Sequence, residues 1–333
     1  MIRIFIVFIA CLYPLLSSAA DHCSGVFASS LEMDRVNSLL NRNRLQEAYW
    51  LLRSKKNDSQ ANVVRELIMA RLEALDNIDF KLSDWSIVGV SDTDPMTGIE
   101  YMRGTNANNS FSQVFDGYRV FLKFSEDSRD EEVGSLIADL LAVKAPFVKN
   151  VQVGGEDASV QLYLEEAPTY VEFVSSYITE VKRGKFKEDF FEIRKAIPQD
   201  IFLFRDMLNL KDQNGGNFLV MQPESALQKP DEVDNLFVSI DHEGGLENLS
   251  ISLSLWQWGS ADEPLPMPDE NIAPVLIEMR DSYPTTHSRL LSPEVGTKIV
   301  DLLENYGYTQ LQINWVREWL ESYKEYSERI LGN

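Results

Sequence analysis

"SFSQVFDGYRVFLKF", residues 110–124, holds two short runs in which aromatic and aliphatic residues alternate with polar ones, joined by Asp116 and Gly117. A two-residue Asp-Gly linker between such runs marks a tight hairpin, because both turn positions take positive φ and few residue types do so at low cost. The stretch therefore sets an antiparallel pair, and the surrounding segments extend it. Upstream lie "LSDWSIVGVSD" and "GIEYMRG"; downstream lies "ASVQLYLEE", with the helical pattern "DEEVGSLIADLLAV" in between. Residues 80–166 thus read as an antiparallel sheet with one inserted helix.

Outside this block the apolar period lengthens. From Ser29 to about Asn77, residues such as Val36, Leu39, Leu40, Ala48, Leu51 and Leu52 recur at three- and four-residue intervals, which predicts two or three helices resembling one unit of a helical repeat. Beyond Pro168, "YVEFVSSYITEVKRG", "KEDFFEIRKA" and "PQDIFLFRDMLNL" read as helices. The short strands "NFLVMQ" and "NLFVSIDHE" follow, and then two amphipathic helices after Ser292, the last with Trp315, Trp319 and Tyr323 on one side. The proline-rich "DEPLPMPDENIAP" reads as a loop. The layout is α+β and two-lobed, with an antiparallel-sheet lobe (80–166), a helical lobe (167–333) and a short helical N-terminal segment (21–79).

The first twenty residues, "MIRIFIVFIACLYPLLSSAA", combine one cation, an apolar run and a small-residue end, the pattern of a secretory signal peptide cleaved after Ala20. The expectation is an exported protein, periplasmic or secreted, with no integral membrane span after signal removal. Cys23 is then the only cysteine, so no internal disulfide braces the mature chain. The net charge of −21 excludes nucleic acid as a partner, since phosphate contacts need clustered Lys and Arg.

The three histidines, His22, His242 and His287, show no metal-ligand spacing, and no G-x-S-x-G elbow is present, which leaves carboxylate and amide chemistry. "NLKDQNGGNFLV", residues 209–220, sets Asp212 and Asn217 around two glycines. An EF-hand loop starting at Asp212 would place Asn217 where glycine is required and Pro223 where the last carboxylate belongs, so calcium fits poorly. A glycine turn without function and a phosphoryl-transfer loop both remain. Transfer needs a carboxylate near the nucleophile and oxygen ligands for Mg²⁺, and "FVSIDHEGG" adds Asp241 at the end of an apolar strand. Lys123 sits in the second strand of the opening hairpin. On the next helix Glu132 flanks the Val133, Leu136, Ile137 and Leu140 face, which makes it the expected partner of Lys123, with Glu131 directed away.

In this order the segments resemble the protein-kinase-like superfamily, especially its atypical branch of phosphatidylinositol 3- and 4-kinases and actin-fragmin-type kinases. "DQNGGN" is similar to that branch's Asp-x4-Asn catalytic loop and "SIDHEG" to its following strand ending in Ile-Asp. "YRVFLKF", "EEVGSLIADLLAVKAP" and "QLYLEEA" look like the lysine strand, its helix and the hinge, so the likeness covers roughly residues 87–255. It implies Asp212 as catalytic aspartate, Asn217 and Asp241 as metal ligands, Lys123 as phosphate ligand with Glu132 holding it, and Gly104 in the nucleotide-covering loop "MRGTNANNSF". The sequence departs from the pattern at Gln213, where a basic residue is usual, in carrying a single glycine in the covering loop, and in an insertion holding Pro223 and Pro230. The implied activity is ATP- and Mg²⁺-dependent phosphoryl transfer to a protein or lipid hydroxyl. The alternative is a non-catalytic pseudokinase serving as a binding module.

Overall fold

The computed structural model describes residues 30–54, 56–76, 81, 84–87, 91–93, 100–102, 110–115, 117–165, 167–170, 173, 198–210, 217–221, 237–240, 242, 245–246 and 269–332. The signal-like N-terminus, the two helical patterns between 174 and 196, Asp116, Gly104, Asp212 and Asp241 lie outside them. Two compact units divide the chain, Met1–Val64 and Arg65–Asn333.

Three helices open the described chain: α1 (Ser30–Asn41), α2 (Leu45–Ser54) and α3 (Asp58–Glu73). The turn between α1 and α2 passes through Asn43, whose φ of 58° suits an asparagine. Leu45, Ala48, Tyr49 and Leu52 form the buried stripe of α2, at the spacing that the apolar pattern predicts.

In the larger unit β1 (Ser86–Ile87), β4 (Ser110–Phe115), β5 (Tyr118–Phe124), β6 (Val148–Val153) and β7 (Glu156–Leu162) form one antiparallel sheet in the order β1-β4-β5-β7-β6. Short strands β2 (Ser91–Thr93) and β3 (Glu100–Met102) pair separately. The register Phe115↔Tyr118 leaves residues 116 and 117 as the hairpin turn, with Gly117 at φ 82°. A second tight turn, Gly154-Gly155 at φ 63° and 87°, joins β6 to β7. Val120 and Leu122 of β5 and Ala158 and Val160 of β7 are fully buried, so one face of the sheet carries the core.

Helix α4 (Ser128–Leu141) crosses from β5 to β6 and packs on β6 and β7. Asp130 and Glu131 in its first turn complement the helix dipole, and Ala142 at φ 68° ends it in the left-handed conformation. Helix α5 (Gln199–Met207) stops in a Schellman turn at Asn209 (φ 55°): Asn209 donates to the Asp206 carbonyl and Leu210 to the Arg205 carbonyl, both at 2.9 Å. The pair β8 (Phe218–Val220) and β9 (Phe237–Ser239) follows. Helices α6 (Asp269–Ser282), α7 (Pro284–Leu290), α8 (Pro293–Asn305) and α9 (Gln310–Leu331) close the chain. Ser292 caps α8, and Thr309 with Gln312 forms a reciprocal capping box on α9.

One continuous core joins α4, α5, β8, β9 and the four C-terminal helices. Trp319 and Tyr323 of α9 stack within it, with ring planes 9° apart. The end of "DEPLPMPDENIAP", read as loop from the sequence, is helical: helix α6 starts at Asp269 and continues through Pro274. Burial of Ile272, Leu276 and Met279 on one face holds the helix together across the proline.

Candidate functional site

Strand alternation sends Val120 and Leu122 into the core and Lys123 to the opposite face, toward α4. The Lys123 ammonium lies 3.4 Å from Oε1 of Glu131. Oε2 of the same carboxylate accepts the backbone N–H of His242 at 3.1 Å. A single buried carboxylate thus joins the sheet lobe to the segment that follows β9.

The expected partner, Glu132, is engaged elsewhere. Its carboxylate accepts from Lys149 Nζ at 2.8 Å, the backbone N–H of Asn150 at 3.1 Å and the hydroxyl of Tyr306 at 2.8 Å. The pairing of Lys123 with Glu132 is corrected to Glu131, for a geometric reason. An amphipathic reading assumes one buried face, yet α4 is covered by the sheet on one side and by α7 and α8 on another. Asp130, Glu131 and Glu132 are all buried. Successive helical residues point about 100° apart, so adjacent carboxylates reach different elements: Glu131 meets β5 and Glu132 meets β6.

The strands β8 and β9 bring the second half of the site together. Asn217 precedes β8, is 5% exposed, and its carbonyl accepts the N–H of Ile240 at 3.0 Å. Arg205 of α5, 1% exposed, donates to the Ile240 carbonyl at 2.8 Å and lies near Ser239 Oγ at 3.3 Å, with its guanidinium 5.3 Å from the centre of the Phe218 ring. A buried cation needs such carbonyl and ring contacts to offset lost hydration.

His242 is an anchor, 2% exposed. Its ring sits edge-on to Phe204 at 5.2 Å, and Nε2 is 3.1 Å from Ser239 Oγ. Close approach to α4 is possible because residue 134 is glycine: a Cβ there would lie 2.5 Å from the Cβ of His242. Asn209 ties the same region together, donating from Nδ2 to the Gly245 carbonyl at 3.0 Å.

Of the residues assigned from sequence, the structure brings Lys123 to the α4 carboxylates and sets Asn217 beside Ile240. Gly104, Asp212 and Asp241 lie outside the described residues. Glu131, Arg205, His242 and Gly134 had no assigned role. A glycine in mid-helix was the available signal, since it costs about 1 kcal/mol relative to alanine unless something else needs the space. Among the described residues no three His, Cys, Asp or Glu side chains cluster to hold a metal. An amide oxygen such as that of Asn217 is a hard ligand of the kind Mg²⁺ takes, and a cation such as Lys123 suits anionic phosphate oxygens.

No protein-family model and no curated protein matches this chain. Among solved structures, it is similar to the crystal structure of a Helicobacter pylori proinflammatory kinase, CtkA. The identity is 12% and the TM-score 0.40, over 67% of this chain and 94% of that one. It is also similar to HipA in the Shewanella oneidensis MR-1 toxin-antitoxin complex of HipA, HipB and operator DNA, at 10% identity and a TM-score of 0.30, over 80% of this chain and 71% of that one.

Proposed function

We propose that the protein is an ATP- and Mg²⁺-dependent phosphotransferase of kinase-like architecture, exported by residues 1–20, with a protein or lipid hydroxyl as acceptor. The observation that carries the reading is the Glu131 carboxylate, which holds Lys123 of the sheet lobe and the His242 amide together. Lys123, restrained by Glu131, is the phosphate ligand. The positions on either side of 241 are both fixed, by Arg205 on the Ile240 carbonyl and by Glu131 on the His242 N–H. In this reading Asp241 and Asn217 supply the metal oxygens, Asp212 accepts the proton of the attacking hydroxyl, and the covering loop includes Gly104. Bound Mg²⁺ would neutralise charge on the phosphates.

Thermal unfolding with ATP, with and without Mg²⁺, tests the proposal. A ligand at a hundredfold excess over its Kd stabilises by about 2.7 kcal/mol, so a Mg²⁺-dependent rise in Tm is expected. No rise under either condition would overturn the reading. Asp212→Ala is expected to abolish transfer of labelled phosphate while keeping the nucleotide-induced rise. Wild-type protein that binds without transferring would instead be the pseudokinase binding module. N-terminal sequencing of the mature protein is expected to begin at Asp21.

A further inference from the structure

The three consecutive acids at the start of α4 divide their contacts between two sides of the helix. Glu131, in the middle, holds Lys123 and the His242 amide. The acids on either side are both gripped by one turn between α8 and α9, Tyr306-Gly307-Tyr308. Tyr308 donates to Asp130 Oδ1 at 2.5 Å and Tyr306 to Glu132 Oε1 at 2.8 Å. Arg129 stacks over the Tyr308 ring at 4.8 Å. The turn itself is fixed: Gly307 takes φ 76°, and the Gly307 and Tyr308 amides donate to the Glu304 and Leu303 carbonyls at 3.0 Å. Burial raises both phenol pKa values, and the adjacent carboxylates raise them further, so both hydroxyls remain donors across the physiological range.

Rolling α4 about its axis to move Glu131 would break both tyrosine contacts. The contact of Gly134 with His242 opposes such a roll as well, and a small cavity bordered by Asp130, Gly134, Leu208, His242 and Tyr308 lies beside it. We propose that Tyr306 and Tyr308 are positioning residues. By gripping Asp130 and Glu132 they fix the roll of α4 that sets Glu131 against Lys123 and the His242 amide, so the C-terminal helices govern assembly of the phosphate-binding lysine. The catalytic consequence rests on the function proposed above; the geometric one does not.

Tyr306→Phe, Tyr308→Phe and the double variant remove only the hydroxyls. In the full chain, hydrogen exchange of the His242 amide is followed by NMR together with amides inside α8 and α9. The expected result is at least tenfold faster exchange at His242 in the double variant, a smaller rise in each single variant, and less than twofold change in the two helices. His242 exchange within twofold of wild type would overturn the proposal. So would an equal rise across His242, α8 and α9, which would assign the hydroxyls to general stability. If the double variant does not fold, the single variants decide by the same criteria. Where wild type shows the Mg²⁺-dependent thermal shift, the variants are also expected to bind Mg-ATP several-fold more weakly. Absence of that shift in wild type counts against the proposed function and leaves the exchange result standing.

Discussion

Gly134 shows how much one hydrogen atom in place of a methyl decides at this site. Replacing it by alanine would improve helix propensity by about 1 kcal/mol. The new Cβ, however, would lie 2.5 Å from the His242 Cβ and 2.9 Å from its Cγ, and His242 has Phe204 on another side. Overpacking of this kind costs about 1–3 kcal/mol, so Gly134→Ala is expected to lower the urea midpoint and weaken Mg-nucleotide binding together. A midpoint at or above wild type would mean that the histidine shifts freely. The same region shows where sequence reasoning stops at the level of single residues. Lys123 was legible from strand alternation, whereas the choice between Glu131 and Glu132 depended on how many neighbours surround α4, which no pattern within the helix encodes.

At the level of elements, α6 offers the sharpest test. Pro274 removes one backbone donor from its second turn, and the helix survives on the apolar face of Ile272, Leu276 and Met279. Pro274→Ala restores the donor, and is expected to stabilise the protein by about 1–3 kcal/mol in chemical denaturation, at the upper end if the full helix penalty of proline is relieved. The proline is also why the start of α6, Asp269 to Pro274, was read as loop. Elements with unbroken local signals were legible: the hairpin across 116–117, α4, α5, and the capped pair α8 and α9 all occur where the sequence places them. Helix α7 was missed because its seven residues carry too few turns for a period to show.

For the whole molecule, the helical core carries a built-in acid sensitivity. His287 is 5% exposed; its Nδ1 lies 2.6 Å from the Tyr323 hydroxyl, and its buried Nε2 has no hydrogen-bond partner among the described residues. Burial, and secondarily the positive charge of Arg280, hold its pKa below the ordinary histidine value. The unfolded chain therefore binds a proton near pH 6.5 that the folded chain does not. Stability is complete above that pH and falls as pH drops through it toward the folded pKa, by at most about 1.4 kcal/mol per pH unit. Comparing Tm at pH 7.5 and 5.5 in wild type and His287→Gln isolates the effect, with a smaller drop expected in the variant. The α+β class and the joining of sheet to helices were legible because they follow from runs of many residues. The shared carboxylate, the buried arginine and the tyrosine turn were not, because each depends on residues far apart in the chain meeting at one point. A last consequence comes from the ends of the interval 211–216. Leu210 is fastened to the Arg205 carbonyl and Asn217 to Ile240 by backbone hydrogen bonds outside the interval. Both ends of the interval are thus held by residues outside it, so a point change at Asp212 can alter the chemistry offered there without unfastening either end.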